Sequence, residues 1–159
     1  MSLLNIKGTI TAYGQSVVDN VMTIYAYIEI TEPSGRRIQI DKVAVANDTA
    51  AVFALGGVGE FFLDKMFVYG RRYHYQLWGI KAENVAVIDR VDARRLVALH
   101  HIVLGTLLLP IGGIGAFWLF PGLAHLVAIL SGSVNRDRLF YGSNPVEARR
   151  LQQQQAIRI

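Results

Sequence analysis

The strongest constraint on the fold is a long uncharged stretch that runs from Leu96 to Ser131. It contains no Asp, Glu, Lys or Arg. A helix on the surface of a globular domain needs a polar face toward solvent, whereas each charge at the centre of a bilayer costs about 2.5–3.5 kcal/mol on insertion scales. The stretch therefore predicts segments that lie within a lipid bilayer.

Proline and glycine residues divide this stretch into two parts. Pro110, Gly112 and Gly113 interrupt it near its middle, and Pro121 follows later. A single helix over the whole stretch would be about 54 Å long at roughly 1.5 Å per residue, which exceeds a hydrocarbon core of about 30 Å. We therefore predict a two-helix transmembrane hairpin over residues 89–133, with helices at about 91–109 and 114–131.

Arginine residues flank the predicted hairpin at both of its outer ends. Arg90, Arg94 and Arg95 precede it, and Arg136 and Arg138 follow it, while its tip carries no charge. Basic residues next to membrane segments favour the cytoplasmic side. We therefore expect a protein of the bacterial inner (cytoplasmic) membrane, with its N-terminal domain and its C-terminal tail facing the cytoplasm.

Residues 1–88 have the pattern of a small β-domain. Alternation over 20–30 places Met22, Ile24, Ala26, Ile28 and Ile30 on one face of a strand. A strand at 3–13 precedes it, and a turn at 32–35, a strand at 37–45, a short helix at 47–55 and strands at 60–69 and 72–80 follow. Three strands, a helix and two strands is the order of an OB-type barrel, and an SH3-like barrel would give nearly the same pattern.

These patterns together predict the fold class and the domain organisation. We expect an α+β membrane protein, in which a small OB-like or SH3-like antiparallel β-barrel at 1–88 precedes the transmembrane hairpin. Residues 134–159 form a polar, basic tail. Within it, Asn144 as a cap, Pro145 at the first helical position and Glu147 predict a short helix.

The histidine residues of the uncharged stretch are candidate ligands. His100, His101 and His125 are its only ionisable side chains. In a hairpin that turns near residue 112, His100 and His125 lie at equal depth, and paired imidazoles can bind a metal ion or haem iron. Two histidines alone make an incomplete metal site, so we predict no cofactor and keep His100 and His125 as the cofactor-binding alternative.

Tyrosine and arginine residues of the β-domain are candidate partner-binding residues. Tyr and Arg are frequent interface residues, and an aromatic, basic face on an OB-type barrel also binds single-stranded nucleic acid. Residues 1–88 carry eight basic and eight acidic side chains, and this zero net charge disfavours nucleic acid. We therefore predict a protein partner for the surface formed by Tyr25, Tyr27, Arg37, Tyr73 and Tyr75, with Arg71 and Arg72 nearby.

The sequence contains no catalytic signature. It has no cysteine, and neither a Gly-x-Ser-x-Gly nor a His-Glu-x-x-His motif nor a nucleotide fingerprint occurs. We therefore expect a membrane-anchored, non-enzymatic interaction or regulatory module. Its β-domain would bind a protein partner or assemble into a complex, and its hairpin would contact the lipid bilayer or self-associate. The alternatives are a haem- or metal-binding membrane protein and a membrane-tethered binder of single-stranded nucleic acid.

Overall fold

The computed structural model describes residues 2–18, 20–66, 73–83, 85–89, 91–132 and 135–144, with residues 146, 148, 150 and 153. The elements in chain order are β1 Ser2–Tyr13, β2 Ser16–Val18, β3 Met22–Thr31, β4 Arg37–Ala46, α1 Asn47–Ala50, β5 Val58–Lys65, β6 Tyr75–Ala82, β7 Val85–Ile88, α2 Ala93–Leu108, α3 Ala116–Leu130 and α4 Arg136–Tyr141.

Five of the strands close into a barrel. β1 pairs antiparallel with both β3 and β5, β3 pairs with β4, and β5 pairs with β6. A parallel pairing between β4 and β6 completes the ring. This ring order, with α1 between the third and fourth barrel strands, is the OB-type arrangement. The predicted barrel is therefore present, with β2 and β7 added beside β3 and β6.

The interior of the barrel is lined by branched and aromatic side chains, and β3 and β4 change face along their length. Ile28 and Ile30 lie in the barrel core, but Met22 and Ile24 pack in a second cluster, beside α2. The expectation that they share one face is therefore wrong. The inward residues of β4 likewise change from Ile38 and Ile40 to Val43 and Val45. The change coincides with Lys42, whose φ of 56° is in the left-handed region.

Helices α2 and α3 are shorter than the sequence predicted, and the predicted transmembrane hairpin is wrong. α2 has 16 residues and α3 has 15, so each is about 24 Å long or less, compared with a hydrocarbon core of about 30 Å. Among the described residues, no helix combines the length and the apolar character needed to cross a membrane. The predicted fold class, an α+β membrane protein, and the predicted inner-membrane localisation both depended on the hairpin and are therefore wrong as well.

The physical reason for the short helices lies in the segment between them. α2 ends at Leu108, two residues before Pro110, which has no backbone N–H to continue the hydrogen bonds of the helix. Gly112 and Gly113 then adopt φ values of 58° and 77°, a conformation that glycine adopts at little cost. The proline and glycine residues were correctly interpreted as a break, but they shorten the helices below the length of a membrane span.

α2 and α3 pack closely against each other through glycine residues. A Cβ atom at Gly105 would lie 2.7 Å from the backbone nitrogen of Leu119, and one at Gly122 would lie 2.9 Å from Cγ1 of Ile102. α2 also packs on the barrel, where Ala93 and Val97 join the second cluster. The two helices therefore form a layer beside the barrel, and the absence of side chains at the glycines permits their close approach.

The described part of the C-terminal region begins with α4, which the sequence analysis did not predict. Asn135 caps this helix by accepting a hydrogen bond from the backbone nitrogen of Arg138 at 2.9 Å. Phe140 packs in a third cluster with Phe62 and Trp78. Most of the helix predicted to follow Asn144 lies outside the described residues, as do Arg71, Arg72 and Arg90.

Candidate functional site

A buried ion pair joins α2 to the barrel. Arg94 in α2 donates through Nε to Oδ2 of Asp64 in β5 at 2.9 Å, and its Nη2 donates to the carbonyl oxygen of Lys65 at 3.0 Å. The side chains of Arg94 and Asp64 are 1% and 0% exposed. A buried charge without a partner is strongly destabilising, so the two side chains depend on each other.

Arg136 of α4 brings a second guanidinium to the same carboxylate. Its Nη2 lies 3.2 Å from Oδ2 of Asp64 and 2.7 Å from Oε1 of Gln76. Gln76 in turn donates through Nε2 to Oδ2 of Asp89 at 2.9 Å and to the carbonyl oxygen of Val91 at 2.8 Å. We call Asp64, Gln76, Asp89, Arg94 and Arg136 the buried polar cluster. It connects two barrel strands to α2 and α4.

His125 of α3 contacts the buried polar cluster. Its Nδ1 lies 3.2 Å from Nη1 of Arg94, and the residue is 0% exposed. A guanidinium has no acceptor, so Nδ1 of His125 must accept this hydrogen bond. Arg94, which belongs to α2, thus contacts both β5 and α3.

A cavity of about 540 Å³ lies beside the buried polar cluster, and charges of both signs line it. Asp64 is already paired with Arg94 and Arg136, and Asp92 is paired with Arg95 at 3.0 Å. The lining therefore neutralises itself to a large extent. Among the described residues, no group of three or more His, Asp or Glu side chains has the arrangement of a metal site.

The structure places the two predicted histidine ligands in different surroundings. His100 is exposed, and its ring centroid lies 6.4 Å from that of Trp118. His125 is buried against Arg94. His101, the residue of α2 that follows His100, is 0% exposed, with Nδ1 2.8 Å from the carbonyl oxygen of Val97. A cofactor-binding role for His100 and His125 stays a prediction.

Of the predicted partner-binding tyrosines, Tyr25 belongs to an aromatic cluster at one end of the barrel. Its ring centroid lies 5.3 Å from that of Tyr13 and 5.2 Å from that of Phe53. Burial, and then the neighbouring Tyr13, raises the pKa of Tyr25 above its ordinary value. The ring of Tyr27 packs over Gly14, where a Cβ atom would lie 2.7 Å from its Cδ1.

The remaining predicted residues of this surface lie in other places. Tyr73 is buried in the cluster beside α2. Tyr75 packs at the edge of the barrel core, with Nζ of Lys65 5.8 Å from its ring centroid. Arg37 is exposed at the start of β4, opposite Thr31. The structure therefore distributes these side chains over several environments, and their partner-binding role stays a prediction.

The most extensive exposed feature is apolar and lies on α2 and α3. On α2, Leu96, Leu99, Val103 and Leu107 form one stripe and are between 49% and 67% exposed. Their spacing of three or four residues places them on one side of the helix. The residues of α2 that are buried, including Val97, lie on the opposite side.

A second stripe runs along α3. It consists of Ala116, Phe120, Leu123, Val127 and Leu130, which are all exposed and are separated by four, three, four and three residues. The buried residues Pro121, Gly122 and His125 occupy the other side of the helix. We call these five residues the α3 stripe. Contiguous apolar surface of this kind marks an interaction site.

Sequence reasoning assigned these same residues to a hairpin that contacts lipid or self-associates, and it did not separate their exposed side from their buried side. The signal that would have separated their two sides is the spacing of Gly105, Gly122 and His125, which are buried, relative to the exposed leucines. The class that fold and surface define is an OB-type barrel with an apolar two-helix layer.

Comparison with known proteins finds no matching family model, and no curated protein or solved structure matches the chain. The functional assignment therefore rests on the geometry of the described residues.

Proposed function

We propose that this chain is a non-enzymatic interaction module, in which an OB-type barrel presents the apolar surface of α2 and α3 to another protein. One observation carries the proposal: most of the large apolar side chains that are exposed among the described residues lie between Leu96 and Leu130. Burying apolar surface stabilises a complex by roughly 25 cal/mol per Å² before the cost of association is subtracted. The surface therefore offers a strong driving force for binding.

The attachment of the two helices to the barrel supports this function. Arg94 links α2 to Asp64 of β5 and to His125 of α3. Gly105 and Gly122 allow the helices to approach each other closely. An interface that is held in one conformation before binding loses less conformational entropy when the partner arrives. The buried polar cluster thus serves to fix the geometry of the apolar surface.

The two alternative functions have less support from the geometry. For haem or metal binding, Nδ1 of His125 already accepts a hydrogen bond from a permanently charged guanidinium. For single-stranded nucleic acid, Tyr25 packs within an aromatic cluster and Tyr73 is buried. Base stacking needs accessible aromatic rings next to a basic groove, so a protein partner is favoured.

Site-specific photo-crosslinking of the full chain in its host cells tests the proposal. A benzophenone amino acid replaces Val127 in the α3 stripe in one variant and Val58 at the start of β5 in the other. The two valines are similarly exposed, at 64% and 67%, so Val58 is a matched control for Val127. We expect protein adducts at position 127 and few at position 58. Equal or absent adduct formation at the two positions would contradict the proposed function.

A further inference from the structure

We infer that the partner bound by the α3 stripe is a second copy of this chain. The inference rests on the proposed function and names its partner. The residues of the α3 stripe follow the four–three spacing that two helices use when they pack side by side with interlocking side chains. A helix with this spacing is matched by another helix with the same spacing, which a second copy supplies.

The distribution of charge also favours a second copy. No charged residue occurs between Leu96 and Asn135, although the chain carries a net charge of +4. When two identical surfaces that carry charge come together, their like charges repel each other and weaken binding. The α3 stripe carries no charge, so it avoids this repulsion. A different partner is commonly selected by complementary charges or by hydrogen bonds, and the side chains of the α3 stripe offer neither.

The size of the surface fits a dimer. With Phe117 and Leu126 at its sides, the α3 stripe presents on the order of 700 Å² of apolar surface, if each exposed side chain contributes roughly 100 Å². A stable interface buries about 800 Å² on each partner. Contacts of a twofold dimer are made by the same patch on both chains, so the α3 stripe would supply both sides of the interface.

Sedimentation velocity of the full chain in detergent-free buffer tests the inference. We expect a species with twice the mass of the chain. Val127→Arg should raise the dissociation constant of the dimer at least tenfold, because a charge would be buried without a partner. Val58→Arg, on the barrel and similarly exposed, should leave the constant unchanged. Circular dichroism verifies that both variants are folded.

Disulfide crosslinking provides a second readout that does not depend on a destabilising substitution. The chain contains no cysteine, so a single introduced cysteine can form a disulfide only between chains. Oxidation of Val127→Cys should give a covalent dimer, and Val58→Cys should give much less. A chain that is monomeric by sedimentation and gives no more dimer with Val127→Cys than with Val58→Cys would overturn the inference.

The outcomes separate the inference from the function on which it rests. If position 127 photo-crosslinks to a different protein while the purified chain is monomeric, the interaction module stands and the second copy is rejected. If the chain is monomeric, gives no protein adduct and co-sediments with phosphatidylcholine–phosphatidylglycerol vesicles, both are rejected. A dimer that Val127→Arg dissociates, together with a self-adduct at position 127, supports both.

Discussion

Arg94 donates through Nε to Oδ2 of Asp64 at 2.9 Å, and the two side chains are 1% and 0% exposed. The two residues are 30 positions apart in the sequence, one in β5 and the other in α2. Because each charge would be strongly destabilising if it were buried alone, the pair couples the packing of α2 to the integrity of β5.

Asp64→Asn should lower the free energy of unfolding by about 3–5 kcal/mol, because it removes the negative charge that compensates Arg94 and Arg136. Urea unfolding at pH 7 measures the loss. Lys7→Met is the control, since Lys7 lies 3.9 Å from Glu60 with its side chain 73% exposed, and exposed pairs contribute about 0–1 kcal/mol. Equal effects of the two substitutions would refute a stabilising role for the buried pair.

His125→Leu should lower the free energy of unfolding by about 1–3 kcal/mol, because it removes the acceptor that faces Nη1 of Arg94. His125→Asn places a carbonyl oxygen near the position of Nδ1 and should lose less. Urea unfolding of the two variants in parallel gives the comparison. If the leucine variant is the more stable of the two, the hydrogen bond does not contribute as described.

Stability should fall with rising pH above about 10, and Tyr25 should account for part of the fall. Burial, and then Tyr13, raises the pKa of Tyr25 from 10.0. A raised pKa means that the folded state retains the proton while the unfolded state loses it. The contribution is therefore complete below pH 10 and is lost as the pH rises through the folded value.

Tyr25→Phe removes this ionisation. We expect its urea midpoint to fall less steeply than that of the unmodified chain between pH 9 and pH 11. The two chains are compared with their own values at pH 8, so that any difference in packing cancels. Parallel curves for the two chains would show that Tyr25 ionises equally in the folded and unfolded states.

Phe140→Ala should cost about 3–5 kcal/mol and loosen α4, because the ring is 0% exposed and lies 5.1 Å from the ring centroid of Phe62. Leu55→Ala, at a side chain that is 59% exposed, should change stability by about 0.5 kcal/mol or less. Urea unfolding measures both effects, and hydrogen exchange over 136–141 reports on α4. Unchanged exchange in that segment would show that Phe140 does not hold α4 on the barrel.

Local patterns were sufficient to predict the barrel. Strand alternation, the turn around Gly35 and the short helix that starts at Asn47 are encoded within a few residues of where they occur. The change of face in β3 and β4 was not predictable in this way. It depends on the conformation of Lys42 together with the packing of α2 against Met22 and Ile24, which involves residues distant in the sequence.

The role of the arginines was missed because its partners are remote. Arg94 and Arg136 were interpreted as flanks of a membrane segment, whereas both pair with Asp64, which is 30 and 72 residues away. Nothing near either arginine indicates this. The apolar stretch was likewise ambiguous, since the same uncharged residues suit lipid or protein. The lengths of α2 and α3 contradict the predicted membrane-spanning helices.

The parallel pairing that completes the ring has a consequence for how the chain folds during synthesis. It joins Val43–Val45 to Tyr75–Leu77, so the ring cannot close until Leu77 has left the ribosome. Gln76, in the middle of this pairing, also bonds to Asp89 and Arg136. Pairing of the ring therefore needs the chain only as far as Leu77, whereas the bonds of Gln76 to Asp89 and Arg136 can form only after those later residues have emerged. α2 and α4 are thus added to a barrel whose strands were synthesised before them.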